Sequence, residues 1–276
     1  MQQVKIGVQA MTIKKEYAEL GAYEALKRLS DMGFGYVELS QVPMDKESVL
    51  AAARACKDFD MEVVAISASL DDLMNGLDKI ISDCKALNCE YVRIGMMPIS
   101  YLAPVSKLLE FCSKVEEAAK VLNSHNIKLY YHNHHFEFQK IDGVYILDYI
   151  KEHTSLLGFE LDVHWMQRGG VNPVAMIPLY QGKVDLLHLK DYRIKPITAD
   201  ICEAKDHSVF QSYFEQCIQF AELGEGNLDL PAIIAAGVKA GTKYFLIEQD
   251  VTYDRTPFES LAITAANLTK MGYQYR

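Results

Sequence analysis

The 276 residues are most informative at first for what they leave out. No apolar stretch approaches the roughly 18 residues that a membrane-crossing helix needs. The opening, Met1-Gln2-Gln3-Val4-Lys5, runs straight into a strand pattern without the apolar core of a secretion signal. The six cysteines, Cys56, Cys84, Cys89, Cys112, Cys202 and Cys217, contain no C-x-x-C pair, which excludes a closed thiolate zinc site. Most sit among apolar neighbours and read as reduced core residues. Basic residues are outnumbered 28 to 37, the net charge is -9 and there is no basic run, so a nucleic-acid partner is not expected. No glycine-rich loop follows the first strand pattern, where Gln9-Ala10-Met11-Thr12-Ile13 stands instead. That argues against a doubly wound nucleotide-binding sheet and leans away from a phosphorylated ligand. The expectation is a soluble, cytoplasmic protein that handles a small molecule, with no membrane and no nucleic acid.

What is present is an alternation. Short β-branched or apolar runs at Val4–Ala10, Gly35–Ser40, Met61–Ser67, Cys89–Met96, Ile127–Asn133, Leu157–Val163, Val184–Leu189 and Tyr244–Gln249 read as strands. Helical spacing fills the gaps at Tyr17–Met32, Lys46–Phe59, Leu70–Leu87, Val105–Asn123, Val144–His153, Asn172–Tyr180 and Leu230–Ala240, with a last helix at Pro257–Met271. Strands that alternate with helices pair in parallel through right-handed crossovers. Eight such units predict an α/β chain folded as a (β/α)8 TIM barrel. A single domain is expected over 1–276, with an insertion at about 194–222, between strands seven and eight, that forms an extra loop and helix over the barrel mouth.

Four successive strands end on polar side chains. L-Y-Y-H-N-H-H-F-E-F (Leu129–Phe138) brings out His132, His134 and Glu137; G-F-E-L-D-V-H-W (Gly158–Trp165) brings out Asp162; D-L-L-H-L-K-D (Asp185–Asp191) brings out His188 and Lys190; Y-F-L-I-E-Q-D (Tyr244–Asp250) brings out Glu248. In a barrel these ends meet at one mouth. Alternation along a strand puts His132 with His134, Glu160 with Asp162, and His188 with Lys190 on shared faces. Taken singly, a histidine at a strand end is more often a hydrogen-bonded structural residue, and an acid there often caps the next helix. Agreement across four adjacent strands favours ligands. Carboxylates with imidazole suit one divalent ion of intermediate hardness, Mn²⁺ first, with Co²⁺, Mg²⁺ or Zn²⁺ as alternatives. Such an ion polarises the oxygens of a hydroxy-ketone or hydroxy-aldehyde and stabilises an enediolate, which is the chemistry of isomerisation and epimerisation. Glu137 and Glu248 on opposite sides of the mouth then suit a two-base proton exchange.

At these residues the chain resembles the sugar phosphate isomerase/epimerase superfamily, the xylose isomerase-like or AP endonuclease 2-type TIM barrels. The pieces are Y-H-N-H-x-x-E-F (Tyr131–Phe138), E-L-D-x-x-W (Glu160–Trp165), G-G-x-x-P (Gly169–Pro173), H-x-K-D (His188–Asp191), G-E-G-x-L-D (Gly224–Asp229) and E-Q-D (Glu248–Asp250). The resemblance covers nearly the whole chain. It implies a sugar or keto-sugar substrate, a homodimer, and one divalent metal held by strand five together with Asp162, His188 and Glu248. Many relatives carry a glutamate directly before the strand-five asparagine; here His132 precedes Asn133. Either Glu137 folds back to the metal, which is the reading preferred on the sequence, or His132 or His134 takes the ligand's place. With Glu137 as ligand, His134 becomes an acid/base or substrate group and His132 a substrate contact. With a histidine as ligand, lyase chemistry of the inosose or dehydroshikimate dehydratase type gains ground. Lys190 reaches substrate oxygens or pairs with Asp191, and Trp165 walls a sugar face or simply packs. An endonuclease IV-like DNA-repair enzyme would need more ligands and a basic face, and a non-catalytic sugar-binding barrel would show no proton exchange with solvent.

Overall fold

The computed structural model describes residues 2–274. Eight parallel strands, β1 (Lys5–Gln9), β2 (Tyr36–Leu39), β3 (Glu62–Ala68), β4 (Tyr91–Ile94), β5 (Lys128–His132), β6 (Gly158–Asp162), β7 (Leu186–Leu189) and β8 (Tyr244–Ile247), pair in sequence order, and β8 closes on β1. The fold is a (β/α)8 TIM barrel. Outward side chains of the strands, such as Val8, Val37, Ile66 and Leu187, pack under the helices in one continuous apolar layer with Leu26, Phe111, Val115 and Ile234. Register places His188 beside Asp162, and Gln9 beside Glu38, so polar residues on neighbouring strands stand at matching heights.

Local chemistry sets the helix limits. Asp45 caps Lys46–Phe59 by accepting from the Glu47 and Ser48 amides, and Asp229 caps Leu230–Ala240, which ends at Gly241 with φ 93°. Thr256 and Glu259 form a reciprocal capping box at the start of Pro257–Lys270. Two helices read as continuous from their spacing are broken. Tyr17–Met32 is two helices, Lys14–Leu20 and Ala22–Asp31, hinged at Gly21 with φ 79°. Leu70–Leu87 is Leu70–Asn75 and Leu77–Leu87, interrupted at Gly76. Apolar periodicity continues through a glycine that the backbone uses to turn.

The excursion after β7 is more ordered than a loop and a helix. Asp191–Ile194 pairs antiparallel with Ile218–Ala221, and between them lie two helices, Ala199–Glu203 and His207–Gln216. Its Phe220 ring stands 6.1 Å from Trp165, at the mouth. Cys56, Cys84, Cys89 and Cys112 are buried free thiols, Cys202 is exposed and Cys217 partly so. Among the described residues no helix is long and apolar enough to cross a membrane.

Candidate metal centre and active site

The inside of the barrel at its C-terminal end is polar and buried in two tiers. The lower tier holds Glu38 of β2, Arg93 of β4 and Glu160 of β6, each at most 3% exposed. The Arg93 Nε lies 2.5 Å from Glu38 Oε1 and 3.3 Å from Glu160 Oε2, and an Arg93 Nη donates to Ser40 Oγ. Burial alone would raise Glu38, but Arg93 and His188 outweigh it and hold the carboxyl at about 2. Glu160, for which burial is the largest influence and Glu38 adds repulsion, is pushed up to about 7. The second tier holds His132, Asp162, His188 and Glu248, whose candidate ligand atoms all lie within 4.8 Å of one another.

His188 joins the tiers. Its Nε2 faces Glu38 Oε2 at 3.0 Å and Glu160 Oε1 at 3.1 Å, while its Nδ1 faces Glu248 Oε2 at 2.9 Å. Glu248 is steadied on its other oxygen by the Gln9 amide at 3.1 Å. Asp162 uses Oδ1 to accept from the Trp165 N–H at 2.9 Å, and its Oδ2 has no hydrogen-bond partner. Neither ring nitrogen of fully buried His132 has one either. Asn133 accepts from the Asp162 N–H at 2.9 Å, which ties the end of β5 to the end of β6. Buried polar atoms are ordinarily paired. Three orphaned atoms within one compact His/Asp/Glu set are what a missing cation would satisfy, and the donor types fit a divalent ion of intermediate hardness.

Glu137 is not in this set. After His132 the chain turns through Asn133–His135 into a 3₁₀ turn, Phe136–Phe138, which carries the Glu137 carboxylate behind the strand. There it accepts from the Tyr131 hydroxyl and, at 2.8 Å, from the His134 N–H. Both oxygens are satisfied internally, and burial pushes the carboxyl up to about 7. His132, expected as a substrate contact, stands in the ligand cluster. His134 lines the mouth, its ring 4.9 Å from that of His132, and burial lowers it to about 3, so it is neutral.

Lys190 is 1% exposed and turns inward, not to Asp191: its Nζ is 2.9 Å from Glu248 Oε2, 2.8 Å from Asp250 Oδ2 and 5.0 Å from the centre of the Trp165 ring. Asp191 instead accepts the backbone N–H groups of Tyr192, Gly224, Gly226 and Leu228. A side chain at Gly226 would collide with that carboxylate, which accounts for the second glycine of G-E-G-x-L-D. Glu225 pairs with Arg255 at 2.9 Å on the rim. Above the cluster a cavity of about 440 Å³ is lined by Ser40, Ser67, Ser69, Asp72, His134 and Lys190 among others. A larger cavity of about 550 Å³ lies at the opposite end of β2 and β3, around Tyr36, Cys56 and Glu62, away from this chemistry. Sequence reasoning overlooked Glu38, Gln9 and Asp250. The available signal for Glu38 was an acid inside the apolar run Y-V-E-L of a strand with helices on its outer face.

A model of the xylose isomerase-like TIM barrels matches residues 26–266. The chain belongs to that family. No curated protein matches it in sequence. Among solved structures, a sugar phosphate isomerase/epimerase from Parabacteroides distasonis ATCC 8503 is similar with a TM-score of 0.76 and 17% identity over 99% of this chain and 96% of the other. The probable 3-DHS dehydratase AsbF from Bacillus anthracis gives 0.72 and 14%, over 96% and 99%. An L-ribulose 3-epimerase gives 0.70 and 15%, over 98% and 94%. At these identities the likeness is one of fold, shared by structures named as a sugar phosphate isomerase/epimerase, a probable dehydratase and an epimerase.

Proposed function

We propose that this member of the family is a divalent-metal-dependent isomerase or epimerase of a sugar or sugar-derived ketone. The observation that carries the reading is the buried set His132, Asp162, His188 and Glu248, with its orphaned histidine and aspartate atoms. These four would hold the ion, which makes His132 rather than Glu137 the proposed ligand from strand five and adds weight to the dehydratase alternative. Bound there, a divalent ion supplies Lewis acidity to the carbonyl and hydroxyl oxygens of a substrate. Mn²⁺ remains the first candidate on donor type, with Co²⁺, Mg²⁺ and Zn²⁺ behind it.

The remaining groups bind and move protons. His134 at the cavity wall is the candidate acid/base or substrate-contacting group, while Glu137, read on the sequence as a base paired with Glu248, is turned away from the mouth by its bonds to Tyr131 and His134. Ser40 and Ser67 offer hydroxyls to the substrate's own, and the Ser67 Oγ is buried without a partner. Trp165 and Phe220 close the β6–β7 side and exclude water.

Metal content of purified wild type, His132→Ala, Asp162→Ala and Glu137→Ala tests the ligand set. One divalent ion per chain, lost from the first two variants and kept in Glu137→Ala, is the expected result. Loss from Glu137→Ala with retention in His132→Ala would restore the glutamate. Incubation of the loaded enzyme with keto-sugars in D₂O tests the reaction: deuterium in a product of unchanged composition supports isomerisation or epimerisation. A product lighter by one water moves the protein to the dehydratase branch, and no exchange at all leaves a binding barrel. Activity on a sugar by a homodimer in the cytoplasm is the accompanying proposal.

A further inference from the structure

Lys190 brings a full ammonium into a cluster that otherwise looks built for a metal. Its Nζ lies 2.9 Å from Glu248 Oε2 and 3.5 Å from Asp162 Oδ2. The same two oxygens face His132 Nε2 at 3.8 and 3.6 Å, and His188 Nδ1 at 2.9 and 3.9 Å. The third partner, Asp250 at 2.8 Å, stands outside the four-residue set and nearer solvent, with 31% of its side chain exposed. The lysine stem is enclosed, and the ammonium sits 5.0 Å from the Trp165 ring centre and 5.6 Å from that of Phe220. Burial would discharge it, but Glu248, Asp162 and Asp250 together hold it above the ordinary lysine value.

We infer that Lys190 is a fixed counter-charge that sets the affinity of the cluster for a divalent cation, and that Asp250 tunes it by drawing the ammonium off Glu248 and Asp162. The inference rests on the reading that these four residues bind a metal. Three carboxylates, Asp162, Glu248 and Asp250, face one ammonium and the His188 ring, and the oxygens of Asp162 and Glu248 that meet the ammonium are the ones a divalent ion would take. Without the ammonium, two buried carboxylates, with partly exposed Asp250 beside them, face one another, an arrangement that is costly until a cation arrives. Its removal both ends a repulsion and destabilises the empty site, and each effect tightens metal binding. Neutralising Asp250 acts in the opposite sense: one negative charge is lost, and the ammonium is left to Glu248 and Asp162 alone. A lysine that served only to pack the mouth would give a different pattern, since either substitution would loosen the cluster and both would weaken binding.

The test is calorimetric titration of Mn²⁺ alone into metal-stripped wild type, Lys190→Gln and Asp250→Asn at one pH near 7.5. Binding at least tenfold tighter in Lys190→Gln and at least threefold weaker in Asp250→Asn is the expected result. Melting curves give a second readout: metal-free Lys190→Gln melts below wild type, and its rise in Tm on adding Mn²⁺ is the larger. Affinity that is unchanged or weaker in Lys190→Gln, or tighter in Asp250→Asn, overturns the inference while leaving the metal site standing. If Lys190→Gln does not fold, Lys190→Met, which keeps the apolar stem and drops the charge, takes its place: tighter Mn²⁺ binding is expected, and unchanged or weaker binding overturns the inference. A wild type that binds no Mn²⁺ overturns this inference together with the metal reading beneath it.

Discussion

The two ends of the barrel carry the same kinds of side chain to different effect. At the N-terminal end Tyr36, Tyr91, Tyr130 and Tyr244 meet edge to face, with ring centres 5.3 to 6.1 Å apart. Their rim is charged but balanced: Tyr91 donates to Asp185 Oδ2 at 3.0 Å, Lys243 reaches the same oxygen at 2.9 Å, and Tyr244 donates to Glu62. Lys5, Lys128 and Lys243 are about half exposed and keep their hydration. At the C-terminal end His132, Asp162, His188 and Glu248 are buried, and orphaned atoms remain on His132 and Asp162. One end has used its polarity to seal the barrel. The other holds polarity in reserve, and a fold retains such a cost where chemistry is done.

The contrast breaks most sharply by removing a ligand. His132→Ala is expected to weaken divalent-metal binding by at least roughly 100-fold, beyond the 10–100-fold typical of supporting residues. Its stability without metal changes little, because the ring makes no hydrogen bond. Calorimetric titration and denaturant unfolding on one preparation check both halves, and a large loss of metal-free stability would show that His132 belongs to the structural class. Next in size is the lower tier. Arg93→Met leaves Glu38 and Glu160 buried without their cation, and the expected loss is about 3–5 kcal/mol in urea unfolding. A loss under 1 kcal/mol would mean that the carboxylates neutralise by protonation at little cost.

Much of this was legible beforehand. Eight alternating units gave the barrel, and β-strand alternation put Asp162, His188 and Glu248 at one mouth. The place of Glu137 outside the cluster has a physical source. A carboxylate was sought at strand five because the family resemblance carries a glutamate before the asparagine, and Glu137 is the nearest along the chain. Whether five residues after His132 fold toward the axis or behind the strand depends on a 3₁₀ turn and on a tyrosine hydroxyl from the same strand, which pattern does not encode. On pattern alone Arg93 could face either the mouth or the helix layer, and Glu38 was hidden for a related reason. Buried charges across the barrel satisfy each other between β2 and β4, a pairing that appears only once the sheet is closed. Of the two roles left open for Lys190, pairing with Asp191 fails because adjacent residues on a strand point to opposite sides.

Glu137 sharpens the comparison through pH. Burial raises its carboxyl to about 7 from the 4.5 of a free side chain, against the opposing hydrogen bonds of Tyr131 and His134. Between those values the folded chain keeps a proton that the unfolded chain has released. The stability linked to this group is therefore complete below about pH 4.5 and is lost as pH rises through 7, by roughly 3 kcal/mol in all. The urea midpoint of wild type should fall relative to that of Glu137→Gln as pH rises from 4.5 to 8, since the amide removes the titration. A constant offset across that range would mean that Glu137 does not titrate there.

The smallest effect belongs to the sealed end. Tyr91→Phe removes the hydroxyl's hydrogen bond to Asp185 and the longer one it accepts from Lys243 at 3.3 Å, but Lys243 and Lys128 still face that carboxylate at 2.9 and 3.4 Å. No buried charge is stranded, and the aromatic packing of the ring with Tyr130 and Tyr244 survives. The expected cost is about 1 kcal/mol, the usual net worth of one such bond. Metal affinity should not change, because the substitution lies at the far end of β4 from the cluster. A shift in that affinity would show that the two ends are coupled through the barrel interior, along the β4 strand that carries Tyr91 at one end and Arg93 toward the other.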